Sequence, residues 1–254
     1  MTIDLFDPTF ALQLGPYSII SGAAFTAYSD QNTYFDWAKV TFAPAYSGKI
    51  NLDKKQPAEI YMGYGTATEK VFEGFVAEPY NAAAGQNQVM LKDSMLLLEA
   101  TTITDTFLDV RPREIIEVIL QKAGVTRYQL ATADMPAKPI VPIRQQNGIA
   151  AIRKVGQLWG LDYKFYFLGG TFYWGCAAPQ RQIYQFTHGQ NILHLQRSGG
   201  LWELETVSVP FIHHSQLISV QAPAISGTFE VCKTCFKTDD SGFVRALLYF
   251  GGDA

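Results

Sequence analysis

The chain has 254 residues, enough for one large β domain or two to three small ones, and 48% of them are hydrophobic, so there is ample material for packed cores. Only 17% are charged against roughly 25% in typical soluble domains, while 13% are aromatic, a balance that suggests a surface partly covered by a partner. The net charge of −3 comes with no basic cluster and no apolar run of roughly 18 residues, which argues against a nucleic-acid groove, an anionic-membrane surface and a membrane-spanning helix.

The chain opens on MTIDLFDPTF, acidic where a signal peptide is basic, so synthesis in a reducing cytoplasm is expected. Up to about residue 30 the strand candidates are punctuated by Gly15-Pro16 and Gly22. Alternating apolar residues then mark strands around AKVTFAPAY, PAEIYMGYG and VFEGFVAEP, the last with a glycine, Gly74, expected to mark a bulge. VMLKDSMLLLEA and TTITDTF follow a Gly-containing loop and continue the strand pattern. Short strands at near-regular spacing read as a small sandwich or barrel.

The clearest helix follows. In TFLDVRPREIIEVILQKAG, Pro112 suits the first helical position and Glu114 the first turn. Ile115, Ile116, Ile119, Leu120 and Ala123 share one face, and Gly124 closes the helix. Arg111 is a poor cap, so Asp109 is expected to reach in. VTRYQL reads as a short strand and ADMPAKPIVPI, with Pro136, Pro139 and Pro142, as an extended connection. A second helix is predicted from Gly148 to Trp159, capped by Asn147, faced by Ile149, Ile152, Val155 and Trp159, and ended by Gly160. LDYKFYF, Gly169-Gly170 and TFYW form a hairpin. From about Gln180 onward the pattern is β again, through LWELETVSVPF, HSQLISVQAP, SGTFEVCKTCF and FVRALLYF, with TDDSG as a turn. The fold class is therefore α+β, mainly β, with a small α/β module inserted between two β modules.

The residues that could carry chemistry form no convincing site. Cys232 and Cys235 make a CxxC without the second pair that a structural zinc site wants, and it lies in a strand pattern instead of opening a helix. Cys176 leaves an odd count. His213-His214, read as neighbouring strand residues, would point to opposite faces; His188 and His194 are isolated. Glu203 and Glu205 would share a strand face, as glycosidase carboxylates can, but Leu201, Val207 and Val209 continue that face. Asp239-Asp240 lies in a turn. Phosphate-binding loops, nucleophile elbows and zinc-protease motifs are absent. No catalytic, cofactor-binding or metal residues are assigned, no cofactor is expected, and the chain is read as not an enzyme.

At the level of the whole pattern the chain resembles the baseplate hub family of phage tails, which includes the myophage hubs, the late control protein D group and the hub half of the type VI secretion spike. The resemblance is carried by FEGFVAEP (residues 72–79), MLKDSMLLLE with Asp93, and FLDVRPREIIEVILQKAGV. NGIAAIRKVGQLWGLDYKFYF with TFYWG, then LETVSVPFIHHSQLISVQAP and GTFEVCKTCFKTDDSGFVRALLYF, extend it through nearly the whole chain.

The resemblance implies two tube-protein-like β-barrels, at residues 1–102 and 179–254, around an α/β module at 103–178. It further implies a homotrimer whose six barrels adapt a sixfold tail tube to a threefold spike or tip. A tail tube or distal tail protein, the tape measure protein and a separate spike or tip protein are then the partners, DNA passes the lumen unread, and the location is the virion tail, at the baseplate. A fused lysozyme or needle is not expected, so a spike or tail lysin is expected to be a separate protein. Two other classes compete: a β-sandwich carbohydrate-binding module of the tail or receptor-binding apparatus, and a hydrolase using Glu203 and Glu205.

Overall fold

A computed structural model describes residues 8–46, 48–65, 67–238 and 244–251. The acidic N-terminal stretch before Pro8, the Asp239-Asp240 turn and the last three residues lie outside the described residues. The fold is mainly β, as expected. It divides into two compact units, one of residues 1–93 and 178–254, the other of residues 94–177; the sequence reading places its boundaries at 102/103 and 178/179.

The first unit begins with β1 (Pro8–Leu14), β2 (Tyr17–Ile19), β3 (Ala23–Asp30), β4 (Trp37–Phe42), β5 (Asn51–Leu52), β6 (Pro57–Tyr64), β7 (Ala67–Val76), β8 (Tyr80–Asn81) and β9 (Gln88–Asp93). Alternation decides which side chains go inside: Leu12 and Leu14 of β1, Ala58, Ile60 and Met62 of β6, and Ala38, Val40 and Phe42 of β4 are all buried. Except for β5 and β8, which pair with each other, these strands run in the order β3-β4-β9-β7-β6-β1-β2.

Gly74 does not mark the bulge. The irregularity between β6 and β7 falls where Ile60 faces Phe72 and Tyr61 faces Lys70, which leaves Val71 as the extra residue. Gly74 is instead a place of close approach. It faces Asp93, and a Cβ there would stand 2.1 Å from the Lys92 carbonyl oxygen.

The second unit holds α1 (Met95–Ala100), β10 (Thr102–Val110), α2 (Pro112–Lys122), β11 (Tyr128–Leu130), β12 (Lys138–Asn147), α3 (Gly148–Trp159), β13 (Phe165–Leu168) and β14 (Thr171–Trp174). Two expectations are corrected here. MLLLEA is a helix and not a strand: its residues are strong helix formers without a β-branched side chain, and a six-residue run with four consecutive apolar residues has no readable period. KPIVPIRQQN is a ten-residue strand paired with β10, and not a mere connection.

The prolines of β12 find places in that ladder. Pro142 keeps its register with Thr106, which a residue without an N–H can do only if its nitrogen faces the free edge. The Asp109–Pro139 step is missing from the ladder, and Asp109 there adopts φ 45°. Glu114, and not Asp109, closes the start of α2, accepting from the Arg111 N–H at 2.7 Å. The expected apolar face of α2 is buried in full.

α3 follows the sequence reading closely. Asn147 Oδ1 accepts from the Ala150 N–H at 2.8 Å, and Gly160 takes φ 64° after the last turn. Trp159 is only partly buried, its indole N–H donating to the Pro136 carbonyl at 2.8 Å. The β13–β14 hairpin turns at Gly169 and Gly170, both at positive φ, as a two-residue turn of this hand requires.

The first unit resumes with β15 (Tyr184–Thr187), β16 (His194–Ser198), β17 (Leu201–Val207), β18 (Leu217–Ala222), β19 (Ile225–Thr238) and β20 (Val244–Phe250). β19 is the longest strand and changes partners along its length. Residues 225–230 pair with β18, and residues 233–237 pair with β3. The switch falls at a register shift between Val231 and Lys233, where the bulge lets the strand bend from one group of strands into the other.

Through β19–β3 the two β regions become one sheet, ordered β16-β17-β20-β19-β3-β4-β9-β7-β6-β1-β2, with β15 and β18 branching from β19. Their apolar side chains fall in a single core: Phe236, Leu248 and Phe250 belong to the same buried cluster as Leu12, Val40 and Leu91. Among the described residues the strands follow an open path ending at β16 and β2, in which no closed barrel is found.

Candidate functional site

The strand pair that joins the β regions gathers buried polar side chains from both. Ser29, Tyr28 and Asp30 of β3 stand opposite Thr234, Cys235 and Lys233 of β19. Inside, Phe236 and Ala27 continue the apolar core. Where β3 ends, the apolar alternation gives way to polar side chains that are nonetheless buried: Asp30, Gln31 and Asp93 from the first β region, His214 and Thr234 from the second.

Such groups persist in a core only when they are hydrogen-bonded or paired, and the bonds around Asp30 and Gln31 are of that kind. Asp30 takes the Lys233 ammonium at 3.2 Å, the Tyr28 hydroxyl at 3.2 Å and the Asn32 N–H at 2.9 Å. Asp36 accepts from the Ser29 hydroxyl and from the Asp30 N–H at 3.1 Å. The Gln31 N–H donates across the junction to the Cys232 carbonyl at 3.1 Å, and the Ser215 hydroxyl to Gln31 Oε1 at 3.3 Å. Burial pushes Asp36 up to about 7, against the two hydrogen bonds that favour its charged form.

The residues weighed from the sequence are dispersed. Cys232 sits at the register shift of β19, and Cys235 stands opposite Leu247 and Tyr28, its thiol pushed up by burial. Such a thiol is a poor nucleophile.

His213 and His214 are not strand residues. Pro210 and the left-handed Ser215 (φ 62°) make residues 210–216 a turn segment between β17 and β18. Burial pushes His213 down to about 4. His214 is fully buried, with Nδ1 2.9 Å from the Ser215 hydroxyl and Nε2 3.8 Å from the Asp36 carboxylate.

Glu203 and Glu205 do share a face of β17, but each is engaged in the sheet. Glu203 accepts from Gln196 Nε2 at 2.9 Å, and Glu205 lies 3.7 Å from the Arg245 guanidinium. Burial, with the bond to Glu203, pushes the Tyr249 hydroxyl up. His188 and His194 line a shallow recess with Leu193 and Pro223. Among the described residues no three His, Cys, Asp or Glu side chains gather as metal ligands would.

The aromatics divide between the core and partly buried positions. Among the described residues the exposed ones are Tyr34 and Tyr128. Others pave the partly buried outer side of the sheet, as where Tyr28 stacks on Trp37 at 5.4 Å and Lys92 lies over Phe35 at 4.3 Å. The exposed apolar side chains are aliphatic, led by Ile20, Leu108 and Ile140. Sequence reasoning missed the buried polar junction. Its one local trace was Asp93 at the end of an otherwise alternating strand.

No family model and no curated protein sequence matches the chain. Solved structures do. The 43 kDa tail protein of prophage MuSo2 from Shewanella oneidensis superposes with a TM-score of 0.74 at 10% identity, covering 96% of this chain and 97% of that one. A tail protein from Neisseria meningitidis MC58 gives 0.70 at 10% identity, over 98% and 97%. The c3393 protein of E. coli, a component of the type VI secretion system described as similar to the T4 tail proteins gp27 and gp5, gives 0.65 at 12% identity, over 96% and 77%.

The chain therefore has a phage-tail-protein fold, shared with a secretion-machine component. The resemblance read from the sequence is borne out at that level. All three neighbours are named as parts of tails or of a secretion system, and none as an enzyme.

Proposed function

We propose that this protein is a structural hub of a phage tail, located at the baseplate or tail tip of the virion, where three copies close into a ring between the sixfold tail tube and a threefold spike or tip. The observation that carries the reading is the β3–β19 junction. It holds two β regions side by side in one chain, so that three chains present six.

Each region curls toward a tube-like module. In the first, only Ile20–Gly22 separate β2 from β3, although the two stand at opposite ends of that region's strand order. A linker of that length spans about 10 Å, so the ends must approach. β3 spends its second edge on β19, which keeps the roll open. In the second region the Leu193 N–H donates to the Glu205 carbonyl at 2.8 Å, drawing the β15–β16 loop onto β17. The three-part division at residues 1–102, 103–178 and 179–254 is retained as part of this proposal.

In such a ring the neighbours are the tail tube or distal tail protein, the tape measure protein and a separate spike or tip protein, with DNA passing the lumen unread. No helix of the described residues is long and apolar enough to cross a membrane. A sugar-binding module would want an exposed aromatic platform, whereas Tyr34 and Tyr128 lie one in each unit.

Native mass tests the ring. Three chains of 28.2 kDa give about 85 kDa, and hydrogen exchange in that species should slow at the open edges of β16 and β2. A chain that stays monomeric at high concentration, and when mixed with its tail-tube neighbour, would overturn the reading.

A further inference from the structure

The β10–β12 ribbon of the second unit guards one of its edges and leaves the other open. In an antiparallel ladder, pairs that exchange both hydrogen bonds alternate with pairs whose N–H and C=O groups point away from each other. Pro142 stands opposite Thr106, and a proline has no N–H to exchange, so that pair is of the second kind. Two residues on, Leu108 and Ile140 form another. The N–H and C=O groups of Thr106 and Leu108 therefore point outward along the free edge of β10, about 7 Å apart. The corresponding groups of β12 belong to Ile140 and Pro142, and there the proline removes a donor.

Nothing comparable protects β10. Among the described residues it pairs with β12 alone, and its outward positions hold neither the proline nor the lysine that ordinarily blunts an edge. Asp105 is taken up by Lys122 at 2.6 Å. The side chains beside the open edge are apolar: Leu108 is 70% exposed and its cross-strand neighbour Ile140 63%. Exposed charges bracket the patch, Asp109 at one end and Arg144 at the other.

Each of these properties restricts the occupant. Outward N–H and C=O groups at strand spacing are satisfied together by another extended backbone. The Leu108–Ile140 pair asks for apolar side chains at alternate positions, and Asp109 and Arg144 ask for a base and an acid at opposite ends. A second copy fits poorly in the ring proposed above, on which this inference rests. Pairing of β10 with its own copy is a twofold contact that a threefold ring cannot contain, the β12 edge lacks a donor, and ring closure uses β16 and β2.

We propose that the free edge of β10 takes an extended strand of another tail protein. The strand runs antiparallel to β10, apolar at alternate positions, with a base near its N-terminal end beside Asp109 and an acid near its C-terminal end beside Arg144. A ring of three then offers three such edges.

The test uses the full chain and the peptide acetyl-Lys-Val-Thr-Val-Thr-Val-Glu-amide. At a peptide concentration ten times its Kd, the Thr106 and Leu108 amides should exchange about tenfold more slowly. The Phe107 amide, already bonded to Val141, should not change. Thr106→Pro removes an outward donor and no ladder bond, so it should abolish the protection. Should that variant not fold, the peptide carries the test: N-methylation of its central valine, whose N–H faces β10, should abolish protection, and N-methylation of the threonine before it should not. Absence of protection at millimolar peptide overturns the proposal, as does equal protection in Thr106→Pro. Slowing of both amides with rising chain concentration alone assigns the edge to a second copy and overturns it too. These readouts are made on single chains, so they stand apart from the native mass that decides the ring.

Discussion

Two long strands of this molecule manage their edges in opposite ways. β19 has partners on both sides, β20 along one edge and first β18, then β3, along the other. Its middle is buried through Val231, Thr234 and Phe236. β12, of ten residues, has among the described residues one partner, and it carries Pro139, Ile140 and Pro142 in the open. The first strand unites regions that are far apart in sequence. The second stops at a two-stranded ribbon, its prolines blunting the edge against further pairing. Position in the sheet, more than β-propensity, sets what each strand can tolerate.

The sharpest way to break that contrast is to damage the strand that both β regions share. Phe236 is among the largest fully buried side chains, and it belongs to a core drawn from both regions. Phe236→Ala should cost about 3–5 kcal/mol, from lost transfer energy and the cavity left behind. Because the core is continuous, β4 and β20 should lose exchange protection together in a denaturant titration. Loss confined to β17–β20 would show the two regions to be separate folding units, and the single-core description would fail.

Gly74 probes the same sheet from the other side of β3. Gly74→Ala would drive a methyl group into the Lys92 carbonyl, where backbone and not a flexible side chain must yield. The expected cost is about 1–3 kcal/mol by chemical denaturation. A neutral result would mean that β7 and β9 are not held as closely as their register implies.

How much of this was legible depended on how local the signal was. α2 announces itself through Pro112 and α3 through Asn147 and Gly160, each with an apolar period inside the helix that it marks. α1 did not, because Met95–Ala100 is too short and too uniformly apolar to show a period. The strand in β12 was hidden by its prolines, which local rules assign to a connection.

The junction left no trace in the sequence beyond Asp93. Ser29 meets Thr234 across some two hundred residues, and only the bulge at Cys232 brings them into register. No window of sequence contains both. The polar side chains gathered there look, one by one, like ordinary strand ends: Asp30 after an alternating run, Asp93 after another, His214 in a turn. Without the pairing partner, burial cannot be inferred, and without burial, neither can an unusual titration.

The smaller unit offers the gentlest test, at the start of α3. Asn147 accepts from the Ala150 N–H, satisfying one of the free amides at the helix start. It is also the last residue of β12, paired with Thr102, so one side chain ends a strand and begins a helix. Asn147→Ala should cost about 1 kcal/mol and leave the β10–β12 pairing intact, since that pairing uses backbone groups. The check is exchange along α3 against exchange along β10. Faster exchange in the first turn of α3 alone would show that the ribbon is held by its own register. If β10 loosened equally, the cap would be part of what keeps the ribbon paired, and β12 would depend on its neighbours almost as much as β19 does.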